Sequence, residues 1–537
     1  MWTDAVVISD DDSPPPAQVQ PRSLLDIIPN RAQLEKERLA RVEQRNATYH
    51  GPSASNAHQT PSDTKKRARS ASPPMRSVRA FVEDARYTPI QGSDRFWHGA
   101  IKATYNRYAH SSQPGTRLSQ LLLPSTASRP SELERVLLTS YDVEIDWLLD
   151  IFPRTVPVTY IGNPPRGASA NDSSTLSPGF YGADRAPNWE MGIPVKPHAR
   201  ALQHSKLLLL FYKSYLRVVI STGNLTQLDW SRYENVFYIQ DFPTPDHAPS
   251  LAPPGPKASG GAFRTELEHV LASLSVPAHH PARRTLAHYS FACAAAHIVA
   301  TQPLSPVLQG WDDMERVGLA RLSHVVRMLM PPLDTATLEA QGSSLGIYDR
   351  RWLEQFYMVA SGINPKHVLP LDKSSGPSPA FVQRFGDRPW PPMQILFPTQ
   401  SYVQHTSVEG ASGGGCFFAK PHEYVKRAWR PIFAQPVSQR GDILMHAKCI
   451  LAISENNDGW VYVGSANFTR AAWGTIAGTR AKPTLSANNW ELGVVLPLCD
   501  SGIKGTPMDA VPYRRPVQPY TAADKPWDVQ TLSSSVE

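Results

Sequence analysis

Dense apolar runs separated by polar breaks fill the chain from about residue 90 onward, whereas residues 1–89 hold few large apolar side chains. The runs include Val136-Leu137-Leu138, Ile145-Asp146-Trp147-Leu148-Leu149, Val156 to Ile161, Leu207 to Tyr212, Arg217 to Ile220, Cys449 to Ile453 and Val461 to Val463. Short apolar runs bounded by turn residues predict buried strands. Asn456-Asn457-Asp458-Gly459 predicts the turn that joins the last two into a hairpin. Gly/Pro-rich polar stretches at about 162–200, 243–262 and 364–390 predict surface insertions between core elements.

Residues 1–89 are rich in Ser, Pro, Asp, Lys and Arg. Such a segment buries too little apolar surface to offset the entropy of ordering it, so a disordered regulatory tail is expected. Within it, Arg31 to Asn46 has a helix-forming composition with only Leu34, Leu39 and Val42 apolar, which predicts a solvated helix. Val6-Val7-Ile8-Ser9-Asp10-Asp11-Asp12 couples a β-prone run to acids, as in a peptide that adds a strand to a partner's sheet edge. It resembles a SUMO-interacting motif. Lys65-Lys66-Arg67-Ala68-Arg69 resembles a nuclear localisation signal, and a nuclear location is expected.

Composition narrows the picture. The 537 residues are 41% hydrophobic, enough for a large core, while 51 prolines suggest that part of the length is tail or loop. No apolar run approaches the roughly 20 residues needed to span a bilayer. The acidic start, Met1 to Asp12, is unlike a secretory signal, so an intracellular protein without a membrane partner is expected. Cys293, Cys416, Cys449 and Cys499 lie far apart, which argues against a disulfide framework and against a structural zinc site. The formal charge of +7 is compatible with nucleic acid without pointing to it.

An internal repeat carries the chemistry. His204-Ser205-Lys206 leads into an apolar run, a second strand, then Ser221-Thr222-Gly223-Asn224-Leu225-Thr226 and Trp230. His446-Ala447-Lys448 leads through the same order to Gly464-Ser465-Ala466-Asn467-Phe468-Thr469 and Trp473. The His-to-Asn interval is 20 residues in one copy and 21 in the other, and Asn to Trp is six in both. Residues two apart on a strand project to one side, and a hairpin returns the Asn to the same end. Two such clusters facing each other would converge two imidazoles, two ammoniums and two carboxamides on one anion.

A phosphodiester needs that set. Its oxygens repel nucleophiles and gain further charge as phosphorus becomes five-coordinate, so fixed donors from Lys206, Lys448, Asn224 and Asn467 stabilise the transition state. One neutral imidazole can attack phosphorus while the other, protonated, donates to the leaving oxygen and later takes a proton from water. His204 and His446 are the candidates. No Asp/Glu/His cluster with metal-ligand spacing accompanies them, so neither metal nor cofactor is expected.

These paired motifs resemble those of the tyrosyl-DNA phosphodiesterases, a branch of the phospholipase D superfamily. Further shared landmarks are Tyr141 to Leu149, Phe397 to Val403, Glu409-Gly410 with Gly413-Gly414-Gly415, Trp490 to Val494 and Lys525-Pro526-Trp527, so the likeness covers about 90–530. Superfamily lipases carry an Asp five residues after the motif Lys; Phe211 and Ile453 stand there, against a lipid substrate. The resemblance implies that His204 is the nucleophile, that His446 is the proton donor and acceptor, and that Glu491 orients the nucleophile. The family has a Gln at the first-half counterpart of Glu491; the chain offers Glu234 or Asn235, with Glu234 favoured because Val236 to Ile239 then parallels the strand after Glu491. Arg200 replaces a base-stacking aromatic, Ser361-Gly362 resembles the Ser-rich loop that binds the DNA backbone, and Trp527 is either a substrate-side or a core aromatic.

The resemblance implies an α/β fold with two pseudo-twofold-related α-β-α sandwich domains, expected at 90–302 and 303–530, with one site between them. It implies a monomer that hydrolyses 3′-phosphotyrosyl DNA left by topoisomerase I, or related 3′ adducts, through a phosphohistidine, leaving a 3′-phosphate. The rival readings are a lipid-directed or general-nuclease member of the superfamily, and an inactive DNA-binding scaffold.

Overall fold

The computed structural model describes residues 95–122, 132–164, 177–183, 186–250, 255–369, 377–419, 424 and 430–529. The expected tail, with Val6 to Asp12 and Lys65 to Arg69, lies outside the described residues.

The first half contributes strands β1 (Ala100–Ala103), β2 (Leu133–Thr139), β3 (Val158–Ile161), β4 (Gly179–Gly182), β5 (Trp189–Ile193), β6 (Leu202–Gln203), β7 (Leu207–Tyr212), β8 (Tyr215–Ser221) and β9 (Val236–Pro243). The second contributes β10 (His297–Thr301), β11 (Leu308–Gln309), β12 (Thr337–Gln341), β13 (Met393–Leu396), β14 (Phe433–Gln435), β15 (Cys449–Ile453), β16 (Gly459–Gly464), β17 (Thr475–Gly478), β18 (Pro483–Ser486), β19 (Asn489–Pro497) and β20 (Gln518–Pro519). An eight-stranded sheet runs β1-β9-β8-β7-β2-β3-β5-β4, and the path β10-β19-β16-β15-β12-β13-β14-β20 repeats its order in the other half. Strand directions repeat too: β2, β3 and β5 are mutually parallel, as are β12, β13 and β14, while the remaining neighbours are antiparallel. β6 leaves the first sheet and pairs with β19 of the second. A three-stranded sheet, β11-β18-β17, stands apart.

The expected boundary at 302/303 is corrected by this topology. β10 hydrogen-bonds to β19 and is the counterpart of β1, so the second half begins before His297. The 162–200 stretch is likewise more than an insertion, because it supplies β4 and β5 with Trp189, Met191 and Ile193 buried.

Side-chain alternation explains how the sheets stack. Leu207, Leu209 and Phe211 of β7 and Cys449, Leu451 and Ile453 of β15 enter one apolar layer between the sheets. Leu208, Leu210 and Tyr212 face outward toward helix Ile145–Ile151, and Ile450 and Ala452 face outward toward helices Gly318–Leu329 and Arg350–Ala360. Strands apolar on both faces are expected where both faces are covered. A carboxylate at Phe211 or Ile453 would have to give up its hydration inside this layer, at a cost of several kcal/mol.

Candidate active site

Each motif histidine emerges where its half meets the other. His204 lies between β6 and β7, and its backbone N–H donates to the Trp490 carbonyl at 3.0 Å. His446 is bracketed by the first half: Glu234 N–H donates to Leu444 O at 2.9 Å and Ala447 N–H to Glu234 O at 3.0 Å. The segments that present both imidazoles are therefore held by main-chain bonds to the opposite half.

Their side-chain partners also come from across the seam. His204 Nδ1 lies 2.9 Å from Glu491 Oε2, whose carboxylate also accepts from Ser465 Oγ at 2.5 Å and, through Oε1, from Asn489 Nδ2 at 2.9 Å. With Nδ1–H donated to a carboxylate, the His204 Nε2 lone pair is left for attack. His446 Nδ1 lies 2.7 Å from Asp229 Oδ1. The other Asp229 oxygen accepts from Asn224 Nδ2 at 3.0 Å and Thr226 Oγ1 at 3.2 Å, and Oδ1 also accepts from Asn235 Nδ2 at 3.2 Å.

Glu234 is therefore not the carboxylate beside His446. Its side chain is fully buried against Arg440, with Nη2–Oε1 2.6 Å, and accepts from Ser438 Oγ at 3.1 Å. Strand register identifies the true counterpart of Glu491. Ile220 pairs with Tyr238 as Val463 pairs with Val494, and counting back three residues aligns Asn235 with Glu491 and Glu234 with Trp490. The hydrogen bonds agree, since Thr222 Oγ1 donates to Asn235 Oδ1 at 2.8 Å just as Ser465 donates to Glu491.

The lysines complete a buried charged cluster. Lys206 Nζ donates to His204 O at 2.6 Å, and Lys448 Nζ lies 3.1 Å from both ring nitrogens of His446. Burial pulls Lys206 down to about 8, with Glu491 and Asp229 opposing. Burial, then the neighbouring Lys206 charge, pulls Lys448 down to about 7. Burial lowers both histidines; Glu491 and Asp229 oppose it, and the lysine of the opposite motif adds to it in each case. That cross-influence places both motifs in one charged cluster. Burial works to raise Asp229 and Glu491, but the imidazoles and lysines around them hold both below the usual carboxylate range. Asn467 Oδ1 accepts from the backbone N–H groups of Ser343 at 2.8 Å and Ser344 at 3.2 Å, which leaves its NH₂ to donate elsewhere. Among the described residues no group of three or more His, Cys, Asp or Glu is placed to hold a metal ion.

Two expected contacts fall elsewhere. Ser361 is buried at the end of helix Arg350–Ala360, beside the hairpin end of β16, where Trp460 Nε1 donates to Ala360 O at 2.8 Å. Asn467 lies beyond the opposite end of that strand, roughly 23 Å of extended chain from Trp460, so the Ser-rich loop beside the site is Ser343-Ser344, after β12. Trp527 is a core aromatic: it is fully buried, donates from Nε1 to Gly414 O at 2.9 Å, and packs with Tyr233 and Phe417. Those two rings stand 5.9 and 6.4 Å from the His446 ring, so Trp527 supports the wall behind it. Tyr141 stands 5.1 Å from the His204 ring. Arg200 is exposed on the loop before β6.

Two matched halves that bring a His-x-Lys…Asn set each to a shared seam define the phospholipase D class. Residues 103–521 match the tyrosyl-DNA phosphodiesterase family, and the chain belongs to it. It is 25% identical over 381 residues to tyrosyl-DNA phosphodiesterase 1 of Arabidopsis thaliana, covering 67% of this chain and 56% of that one. It is 26% identical over 353 residues to tyrosyl-DNA phosphodiesterase 1 of Drosophila melanogaster, covering 62% of this chain and 57% of that one. The chain thus spans little more than half the length of these relatives. The crystal structure of the yeast tyrosyl-DNA phosphodiesterase shares the fold, with a TM-score of 0.55 at 18% identity over 80% of this chain and all of that one.

Proposed function

We propose that the protein hydrolyses the phosphodiester between the 3′ end of DNA and a tyrosine or other small adduct, leaving a 3′-phosphate. The observation that carries this reading is the crossed pair of His–carboxylate contacts, His204–Glu491 and His446–Asp229, around two buried lysines. His204 Nε2 attacks phosphorus and the P–O bond to the phenol breaks, while His446 protonates the departing oxygen. The resulting phosphohistidine is cleaved by water, whose proton passes to His446. Lys206, Lys448 and the Asn467 amide hold the phosphoryl oxygens as charge develops. A phenol, with a pKa near 10, leaves more readily than a sugar alkoxide, which favours adduct removal over general nuclease action.

The halves extend on this reading from about 90 to the segment before β10, and from β10 to about 530, and the protein acts as a monomer. Arg200, exposed on the loop before β6, is a candidate phosphate contact. Topoisomerase I peptides are the proposed adducts, the nucleus the proposed location, and SUMO a proposed partner of Val6 to Asp12. The apolar residues Phe211 and Ile453 between the sheets weigh against a lipid hydrolase.

The test is incubation with a 3′-phosphotyrosyl oligonucleotide in excess chelator, beside phosphatidylcholine. Release of the 3′-phosphate oligonucleotide alone is the expected result. Turnover of the lipid alone, or of neither substrate, overturns the reading.

A further inference from the structure

The halves share sheet order, strand direction and hydrogen-bond register, yet they do not supply their carboxylates from the same place. In the second half the position five residues after Asn467 is Ala472, a buried methyl beside Trp473, and the carboxylate sits on β19 as Glu491. In the first half Asp229 occupies the place of Ala472, beside Trp230, and the place of Glu491 is taken by the neutral Asn235. Asn235 makes no bond to His446; its amide donates instead to Asp229, at 3.0 Å to the carbonyl and 3.2 Å to Oδ1. Asp229 is 2% exposed, and three side-chain donors besides the imidazole, Asn224, Thr226 and Asn235, fix both of its oxygens.

We infer that Asp229 is the positioning residue for His446, and that it replaces, from the turn after Asn224, the strand-borne carboxylate that Glu491 gives His204. The inference rests on the proposed reaction and adds to it the group that governs its second imidazole. A carboxylate on Nδ1 fixes the tautomer, aims Nε2 into the cluster and stabilises the imidazolium that forms when His446 takes a proton from water. Asn235 cannot do this, because an amide carries no charge to balance an imidazolium. It acts one bond further out, by holding Asp229.

The decisive experiment moves the carboxylate back. Wild type, Asp229→Ala, and the double variant Asp229→Ala with Asn235→Glu are compared on an oligonucleotide carrying a 3′-(4-nitrophenyl phosphate). Its leaving group needs little protonation, so the attack by His204 is spared and the release step is read. Asp229→Ala should accumulate the covalent enzyme–DNA adduct and turn over about 100-fold more slowly, the scale of a lost general base. The double variant, with a carboxylate at the position equivalent to Glu491, should recover at least about tenfold. Unimpaired release in Asp229→Ala, or a folded double variant that recovers nothing, overturns the inference. Asp229→Asn keeps the shape and supplies a readout independent of turnover: the His446 imidazole, followed by NMR in the free protein, should titrate at lower pH than in wild type. An unmoved His446 titration would overturn the inference even if no substrate were cleaved, whereas a wild type inactive on every 3′ adduct would count against the proposed reaction and not against this contact.

Discussion

Glu234 and Arg440, contributed by opposite halves, form an ion pair whose side chains are both fully buried, with Arg440 Nη2 2.6 Å from Glu234 Oε1. The guanidinium also donates to Thr104 O at 3.0 Å and Gln113 O at 3.2 Å, so one side chain ties the segment before His446 to two loops of the first half. The main chain of Glu234 brackets His446 directly, and Asn235 follows it. Removing the Glu234 charge would strand a buried guanidinium. Glu234→Gln is therefore expected to lower the unfolding free energy by about 3–5 kcal/mol, measured by urea denaturation. Replacing both residues with apolar side chains of similar volume should cost less, because no charge is left unpaired.

The two histidines should fail differently. His204→Ala removes the proposed nucleophile, and no covalent adduct should form with a 3′-phosphotyrosyl oligonucleotide. On the proposed mechanism His446→Asn leaves attack in place but removes the group that accepts the proton from water, so a covalent adduct should persist on a denaturing gel. Wild-type turnover in either variant would reverse the assignment of roles.

The lysines predict the alkaline side of the pH profile. Lys448 and Lys206 are drawn down by burial to about 7 and about 8, and in their proposed role they hold phosphate only while protonated. As pH rises through that range the free enzyme loses ammonium charge from the cluster, so kcat/KM should fall above neutrality through a rise in KM. Lys448→Arg, whose guanidinium stays charged, should remove the lower of the two steps. A profile flat to pH 9 in the wild type would contradict the electrostatics of the cluster.

Much of this site was legible because strand geometry is periodic. Each His-x-Lys pair stands just before β7 or β15 rather than on it, but a hairpin had to return the asparagine to that end, and the repetition of both marked the second half. Glu491 was reached through the family resemblance alone, not through strand periodicity, although it lies on the strand that follows its motif. Asp229 was not, because it sits in a turn where the other half has Ala472, so internal symmetry pointed away from it toward β9. Matching Val236 to Ile239 with the strand after Glu491 then made Glu234 look equivalent to Glu491, and only the pairing of Ile220 with Tyr238 resolves the register. Ser361 misled through local sequence alone. Its serine-glycine pair lies at the wrong end of β16, while Ser343-Ser344 reaches the site because β12 ends beside Asn467. The extent of the second half was hidden in β10, a short strand far in sequence from its neighbour β19.

The apolar layer between the sheets gives a last prediction, which separates architecture from chemistry. Phe211 and Ile453 end the inward-facing rows of β7 and β15. Phe211 is 2% exposed and Ile453 is 9% exposed. Phe211→Asp loses the burial of an aromatic ring and forces a carboxylate into a dry layer. A loss of about 4 kcal/mol or more is expected, together with a raised pKa for the new carboxyl, so the damage should lessen as pH falls toward 5 and the group becomes neutral. Ile453→Asp, nearer the rim, should cost less and show a weaker pH dependence. Phe211→Leu keeps the layer apolar and should leave turnover of a 3′-phosphotyrosyl oligonucleotide within about twofold of wild type while lowering stability by about 1 kcal/mol. Denaturation midpoints at pH 5 and 8, read beside single-turnover rates, distinguish these outcomes. An aspartate tolerated at Phe211 without loss of stability would mean that the two sheets do not meet through a dry layer at that point.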